Sequence, residues 1–241
     1  EYMVLDIPFL FNSYEEAWMM LDSNIGAKLS DSLNNYGLEQ MCWLESGFRH
    51  ITNSRHAISA PSDMKNLKFR TMEAAMHMEN FKALGSNPTP VSWNELYLAM
   101  SQNLVDGQEN PLGNIVDLKM YEVQKYLTLD GHLYDAAPLV TNLEWFNSLP
   151  LEYQKILKEG AHMASNYNRF MNYLCEEQYL EILKQKGMEV TELTVEQKNA
   201  FKELGQPAVA AKVKEELSPG FVDDFLSSIE ELRASEKVEV I

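Results

Sequence analysis

Val105-Asp-Gly-Gln-Glu-Asn-Pro111 lies between an amphipathic run, Ser92 to Leu104, and a second mixed segment, Leu112 to Tyr126. Gly107 permits a tight turn without a Cβ penalty, and Pro111 stiffens the exit. Between them stand Gln108, Glu109 and Asn110, a polar density that ordinary buried strands do not carry. A rigid turn presenting an amide suits a polar ligand group, because asparagine both donates and accepts hydrogen bonds. Read alone, the stretch is a surface turn. Two arginines upstream, Arg49 and Arg70, open a second reading.

On either side the chain alternates short strands with helices. Ser13-Tyr-Glu-Glu16 has the form of a capping box, and the helix it opens keeps an apolar period to Leu33, with a break near Gly26 and a stop at Gly37. Leu38 to Trp43 reads as a strand, and Glu45 to Ser54 as a second piece carrying Arg49. Pro61 suits the first position of a short helical turn. A strand at Leu67 to Met72 carries Arg70, and a helix follows from Glu73 to Leu84. Asn87-Pro-Thr-Pro90 must be extended, and Ser92-Trp-Asn-Glu95 caps the next helix, with Trp93 in its first turn. Further strands fall at Lys125 to Leu129 and Ala137 to Thr141. This alternation argues for α/β units. From Pro150 to Lys186 one helical pattern would extend roughly 55 Å at 1.5 Å per residue. It lacks clean heptads, so it spans two lobes in preference to forming a coiled coil. Thr194-Val-Glu-Gln197 caps another helix, and Leu217 to Leu232 forms the last, after a Ser218-Pro-Gly220 break.

The totals set outer bounds. With 241 residues, 45% hydrophobic and 23% charged, the composition is that of a globular protein of one large or two modest domains. A net charge of -16 argues against nucleic acid and anionic membrane surfaces as partners, since both repel it at long range. It does not exclude a small anion, since local arginines in a dry cleft outweigh a diffuse, screened surface. The apolar opening Met3 to Phe11 needs partners, and the natural protein is expected to begin earlier. Cys42 and Cys175 give neither a disulfide framework nor metal spacing and are expected as buried free thiols.

Several pieces together resemble the substrate-binding proteins of tripartite ATP-independent periplasmic (TRAP) transporters, in the DctP branch named for C4-dicarboxylate uptake. They are Leu5-Asp-Ile-Pro-Phe-Leu-Phe11, Gly47-Phe-Arg49-His-Ile-Thr-Asn53-Ser, Leu67-Lys-Phe-Arg70, Ala83-Leu-Gly-Ser-Asn-Pro-Thr-Pro90, the opening stretch itself and Tyr121-Glu-Val-Gln-Lys-Tyr126. The resemblance implies a two-lobed periplasmic-binding-protein fold of the second type, with the long helix spanning both lobes. The expected division assigns 1–46 and 136–170 to a first lobe lacking its N-terminal portion, and 47–135 and 171–241 to a second. It implies that Arg70 grips a ligand carboxylate bidentately, Arg49 makes a second carboxylate or hydroxyl contact, Asn110 hydrogen-bonds the ligand and Trp93 lines the pocket. It further implies a periplasmic location, a small organic acid as ligand, membrane permease subunits as partners and no cofactor. A monomer is expected, with a dimer through the long helix as the alternative.

The chemistry agrees, because a carboxylate leaving water needs a planar, permanently charged fork such as guanidinium. Each residue also has a plain structural role open to it: a surface ion pair for Arg49 or Arg70, core for Trp93, bracing of the turn for Asn110. Trp43 and Glu45 read as structural at the crossing between lobes. Enzyme readings find little: the histidines show no metal spacing, and there is no phosphate loop, Gly-x-Ser-x-Gly elbow or activated cysteine. A carboxylate-processing enzyme on the same cleft and a helical interaction module built on Pro150 to Lys186 stand as the rivals.

Overall fold

Gln108, Glu109 and Asn110 lie not in a surface turn but inside β4 (Gly107–Pro111), every residue of which is buried. The computed structural model describes residues 1–236 and sets this strand within a six-stranded mixed sheet. The expectation failed because burial of polar residues is unfavourable only while they lack partners, and these three satisfy one another and their neighbours. Gly107 likewise serves close approach instead of a turn. A Cβ there would lie 2.5 Å from the Thr52 carbonyl oxygen and 3.0 Å from the Phe69 ring.

The strands run in the order β3 (Asn87–Pro90), β2 (Lys68–Thr71), β4, β1 (Leu38–Asn53), β5 (Tyr126–Asn142), β6 (Glu189–Glu192). β2 pairs in parallel with β3 and β4, β1 is antiparallel to β4 and β5, and β6 is parallel to β5. Two pairs of expected short strands prove to be two long ones. β1 and β5 pair along their whole length through bulges between Gln40 and Cys42, Glu45 and Gly47, and Arg49 and Ile51. The first two each insert one residue in β1, the third leaves residues 129–132 of β5 opposite His50 alone, and the ribbon stays paired while changing direction.

That ribbon joins separate cores. At its Leu38 end, Trp43 and Tyr134 pack with Val4 to Leu29, including α1 (Tyr14–Asp22) and α2 (Asn24–Ser32). Met41 and Cys42 pack there against Phe146 and Ala161. At its Asn53 end, Ile51 joins Phe69 of β2 and Phe81 of α3 (Ala75–Ala83). Leu127 joins α4 (Trp93–Ser101) and α5 (Leu112–Asp117) in a further cluster. After the short α6 (Leu143–Ser148), α7 (Leu151–Gln185) runs past both ends, contributing Ala161 to one core and Leu183 to another.

The chain's last helices depart from the expected division. α8 (Val195–Glu216) puts Phe201 beside Phe69, but its Val209 and Val213 join Val222, Phe225 and Ile229 of α9 (Pro219–Glu236) in the core of α1. Residues 209–229 therefore pack with residues 4–29, whereas the expectation placed them wholly with the second lobe.

Local signals hold where chemistry is local. Gly37 ends its segment at φ 72°, and the Thr194 and Gln197 side chains cap α8 reciprocally. The break in the first helical run comes at Ser23, whose hydroxyl accepts from Ile25 N–H, one turn before Gly26. Ser92 precedes α4 without capping it, because its hydroxyl is turned to Glu95 Oε2 at 2.8 Å. Both cysteines are free, Cys42 buried and Cys175 half-buried on α7.

Candidate functional site

Arg70, on β2, is 3% exposed and has no carboxylate partner among the described residues. Its Nε donates to the Val91 carbonyl at 2.8 Å, where β3 gives way to α4, while NH1 is buried with no hydrogen-bond partner. Burial holds this guanidinium below its usual range and neighbouring Arg49 adds to the effect, opposed only by Glu109. A buried cation left with an open donor is costly, on the order of several kcal/mol, unless an anion completes it.

Arg49, on β1, is 2% exposed and already paired. Its Nε and NH2 form a fork with the Glu109 carboxylate, NH1 donates to Asp135 at 2.6 Å, and NH2 also reaches the Asn110 side-chain oxygen at 3.2 Å. Burial alone would lower its pKa, but Glu109 and Asp135 hold it above the ordinary value. Guanidinium carries five N–H groups, so one hydrogen on NH1 remains after these bonds. Asn110 is equally engaged: its nitrogen donates to Gln108 Oε1, and its oxygen also accepts from Asn114 at 3.2 Å.

Glu109 is the centre of this cluster, and sequence reasoning gave it no role. Fully buried, it faces Arg49, His132 Nε2 at 3.3 Å and His77 Nδ1 at 3.8 Å. His77 Nε2 reaches Asp6 at 3.4 Å, and His132 Nδ1 sits 2.7 Å from Asp130. Burial would raise the Glu109 pKa, yet Arg49 and the two histidines keep it well below the usual carboxylate range. Against the pull of burial, these carboxylates hold His77 and His132 up to about 9. The signal for Glu109 was its place between two polar residues on a strand; the histidines come from distant segments and left none.

Trp93 stands apart, 41% exposed in the first turn of α4. The structure thus gathers Arg70, Arg49 and Asn110 about Glu109, with Trp93 on the helix that begins beside Arg70. A cavity of about 560 Å3 is lined by Phe9, Phe11, Phe48, Asp130, Tyr173 and Glu176 among others; it meets the cluster at Asp130, the partner of His132, but is lined by none of these five residues. No metal-binding cluster of histidine, cysteine or acid side chains occurs among the described residues. What the arginine cluster can do chemically is hold a carboxylate.

Residues 1–216 match the family described as bacterial extracellular solute-binding protein, family 7 (DctP). A solute-binding protein of Verminephrobacter eiseniae is 38% identical over 190 residues, 79% of this chain and 57% of that protein. The 2,3-diketo-L-gulonate-binding periplasmic protein of Escherichia coli is 33% identical over 236 residues, 98% of this chain and 69% of that protein. The chain therefore spans little more than half to about two thirds of these relatives. The sugar acid binding protein of Advenella mimigardefordensis, solved with galactonate, superposes with a TM-score of 0.89 at 34% identity, covering 95% of this chain and 74% of that one.

Proposed function

The chain belongs to the DctP family, family 7 of the bacterial extracellular solute-binding proteins, and from that premise we propose that it takes up a small organic acid between two lobes and hands it to the permease of a TRAP transporter. The single observation that carries the reading is Arg70, a buried guanidinium with an unpartnered NH1 and no counter-ion of its own. A ligand carboxylate is the group that completes it. Arg49 offers its remaining N–H from a position fixed by Glu109 and Asp135, Asn110 orients Arg49, and Trp93 walls the mouth. The candidate ligands are C4-dicarboxylates, hexuronates and other sugar acids, and hydroxy or keto acids.

In this reading the first lobe comprises 1–46 and 136–170, joined by α9 and the end of α8 through their shared core with α1. The second comprises 47–135 with the remaining part of 171–208. The protein works outside the cytoplasm, in keeping with relatives named periplasmic. No described helix is long and apolar enough to cross a membrane. The protein is a receptor and not an enzyme, so it returns its ligand unchanged. It acts as a monomer; the exposed Met163, Tyr167, Phe170 and Leu174 of α7 are the surface through which a dimer would form, and sedimentation across concentration decides between them.

A thermal-shift screen of succinate, glucuronate and galactonate tests the site. A ligand at 100 times its Kd adds about 2.7 kcal/mol to stability. Arg70→Ala is expected to abolish the shift and leave the unliganded Tm within a few degrees, because it also removes an uncompensated buried charge. Equal binding by Arg70→Ala and the parent would overturn the assignment.

A further inference from the structure

β1 has β5 on one edge throughout, but β4 covers the other edge only from Arg49 to Asn53. Toward the Leu38 end, side chains of α7 take the place of a strand. Lys158 Nζ donates to the Gln40 carbonyl at 2.5 Å, and the Ser165 hydroxyl donates to the Trp43 carbonyl. At Glu45 the coverage is complete. Its N–H donates to Asn168 Oδ1 at 2.8 Å, and its carbonyl accepts from Asn168 Nδ2 at 3.2 Å and Asn172 Nδ2 at 2.8 Å. An asparagine that accepts from and donates to one residue's backbone copies a strand neighbour's bonding pattern.

Between these two kinds of edge partner lie Ser46, Gly47 and Phe48, at the bulge and with Gly47 at φ 98°. Such a backbone conformation favours glycine. α7 shows a matching interval. Its Asn172 is fastened to Glu45, and from Tyr179 onward it packs on the other side, with Tyr179 carbon 3.2 Å from where a Cβ on Gly113 would stand. Tyr173 to Gln178 lie between the two attachments. Phe48 of the strand interval and Tyr173 and Glu176 of the helix interval all line the 560 Å3 cavity, so both spans border free volume.

We propose that Asn168 and Asn172 are positioning residues for lobe closure: by binding the Glu45 backbone they make β1 up to that residue and α7 up to Asn172 one rigid body, and so confine bending to Ser46–Phe48 and Tyr173–Gln178. The inference rests on the proposed uptake of an acid between two lobes, to which it adds that the lobes close on the acid. It also joins the pivot to the ligand cluster. Asp135, the register partner of Gly47, is the carboxylate that receives Arg49 NH1. A bend on the Asn53 side of Arg49 would part Arg49 and Asp135 from Arg70, whereas one at Ser46–Phe48 leaves the three in one body. A free-form hinge would populate open geometries that the acid must then select against, which lowers apparent affinity.

The test is single-molecule FRET on the full chain, with one dye on α1 and one on α3, in Asn168→Ala/Asn172→Ala and in Asn172→Ala alone, which guards against a double variant that fails to fold. Without ligand, the variants should show a broader interlobe distance distribution than the parent. With the tightest acid of the succinate, glucuronate and galactonate panel they should bind roughly fivefold or more weakly, and Asn172→Gln, which keeps the amide donor, should recover part of the loss. Variants that melt earlier yet keep the parental distribution and affinity overturn the positioning role, since those residues then only stabilise. A parent whose distribution does not move with any acid of the panel overturns closure and clamp together, whereas a parent that closes beside an indistinguishable variant overturns the clamp alone.

Discussion

A single carboxylate, Glu109, decides whether the arginine cluster can exist. It has no exposure to water, compensates Arg49, and its charge helps raise the pKa of His77 and His132 beside it. Glu109→Gln removes one charge from a buried group of opposite charges, and breaking such a pair typically costs about 3–5 kcal/mol. Urea unfolding should show a loss of that size, and a loss under about 1 kcal/mol would mean that Arg49 finds enough compensation in Asp135 alone. The same histidines give the fold an alkaline limit. An unfolded histidine titrates near 6.5, and His77 and His132 are held up to about 9 in the folded state. A raised folded pKa contributes its stability in full below about 6.5, and that contribution is lost as pH rises through about 9. Unfolding free energy should therefore fall across that interval, and His132→Gln should flatten the slope. A parent stability that rises from pH 7 to 9 contradicts the pairing. Asp130, pulled down to about 2 mainly by His132 against its burial, sets the acid side: its contribution holds above about 4 and disappears towards pH 2.

At the scale of elements, what could be read in the sequence follows a physical line. Gly37, Ser13 and Thr194 act on backbone groups three or four residues away, so the letters alone carried their helix boundaries. Arg70 was placed on a strand because hydrophobic and polar residues alternate there, which is also local. The opening stretch failed that logic: whether Gln108 and Asn110 face water or one another depends on β1 and β2, which arrive from elsewhere in the chain. The two long strands were cut in half for a related reason, since a bulge mimics a strand end in sequence. Gly107 makes the difference measurable. A turn glycine would tolerate a left-handed-compatible residue, but this one faces the Thr52 carbonyl and the Phe69 ring. Gly107→Ala should destabilise by about 1–3 kcal/mol through overpacking, and Gly107→Asn, suited to turns, should do worse. Equal stability of the asparagine variant would restore the turn reading.

For the molecule as a whole, the site and the surface carry opposite signs. The chain bears a net charge of -16, yet its arginine cluster ends in an Arg70 with an unpartnered NH1. The net charge was legible in the sequence but the isolation of Arg70 was not, because its burial is a property of the folded sheet. An organic anion therefore meets long-range repulsion before short-range attraction. The Debye length shrinks from about 30 Å at 0.01 M salt to about 8 Å at 0.15 M. That range spans the approach to the surface, while the final contact with a buried guanidinium is screened much less. Association of a binding acid should accordingly quicken, by roughly twofold or more, as salt rises over that interval, with dissociation nearly constant. Stopped-flow tryptophan fluorescence can follow it, since Trp93 stands in the first turn of the helix beside Arg70. An association rate that falls with salt would place the steering with the local arginines, and the acidic surface would then have no part in how the ligand arrives.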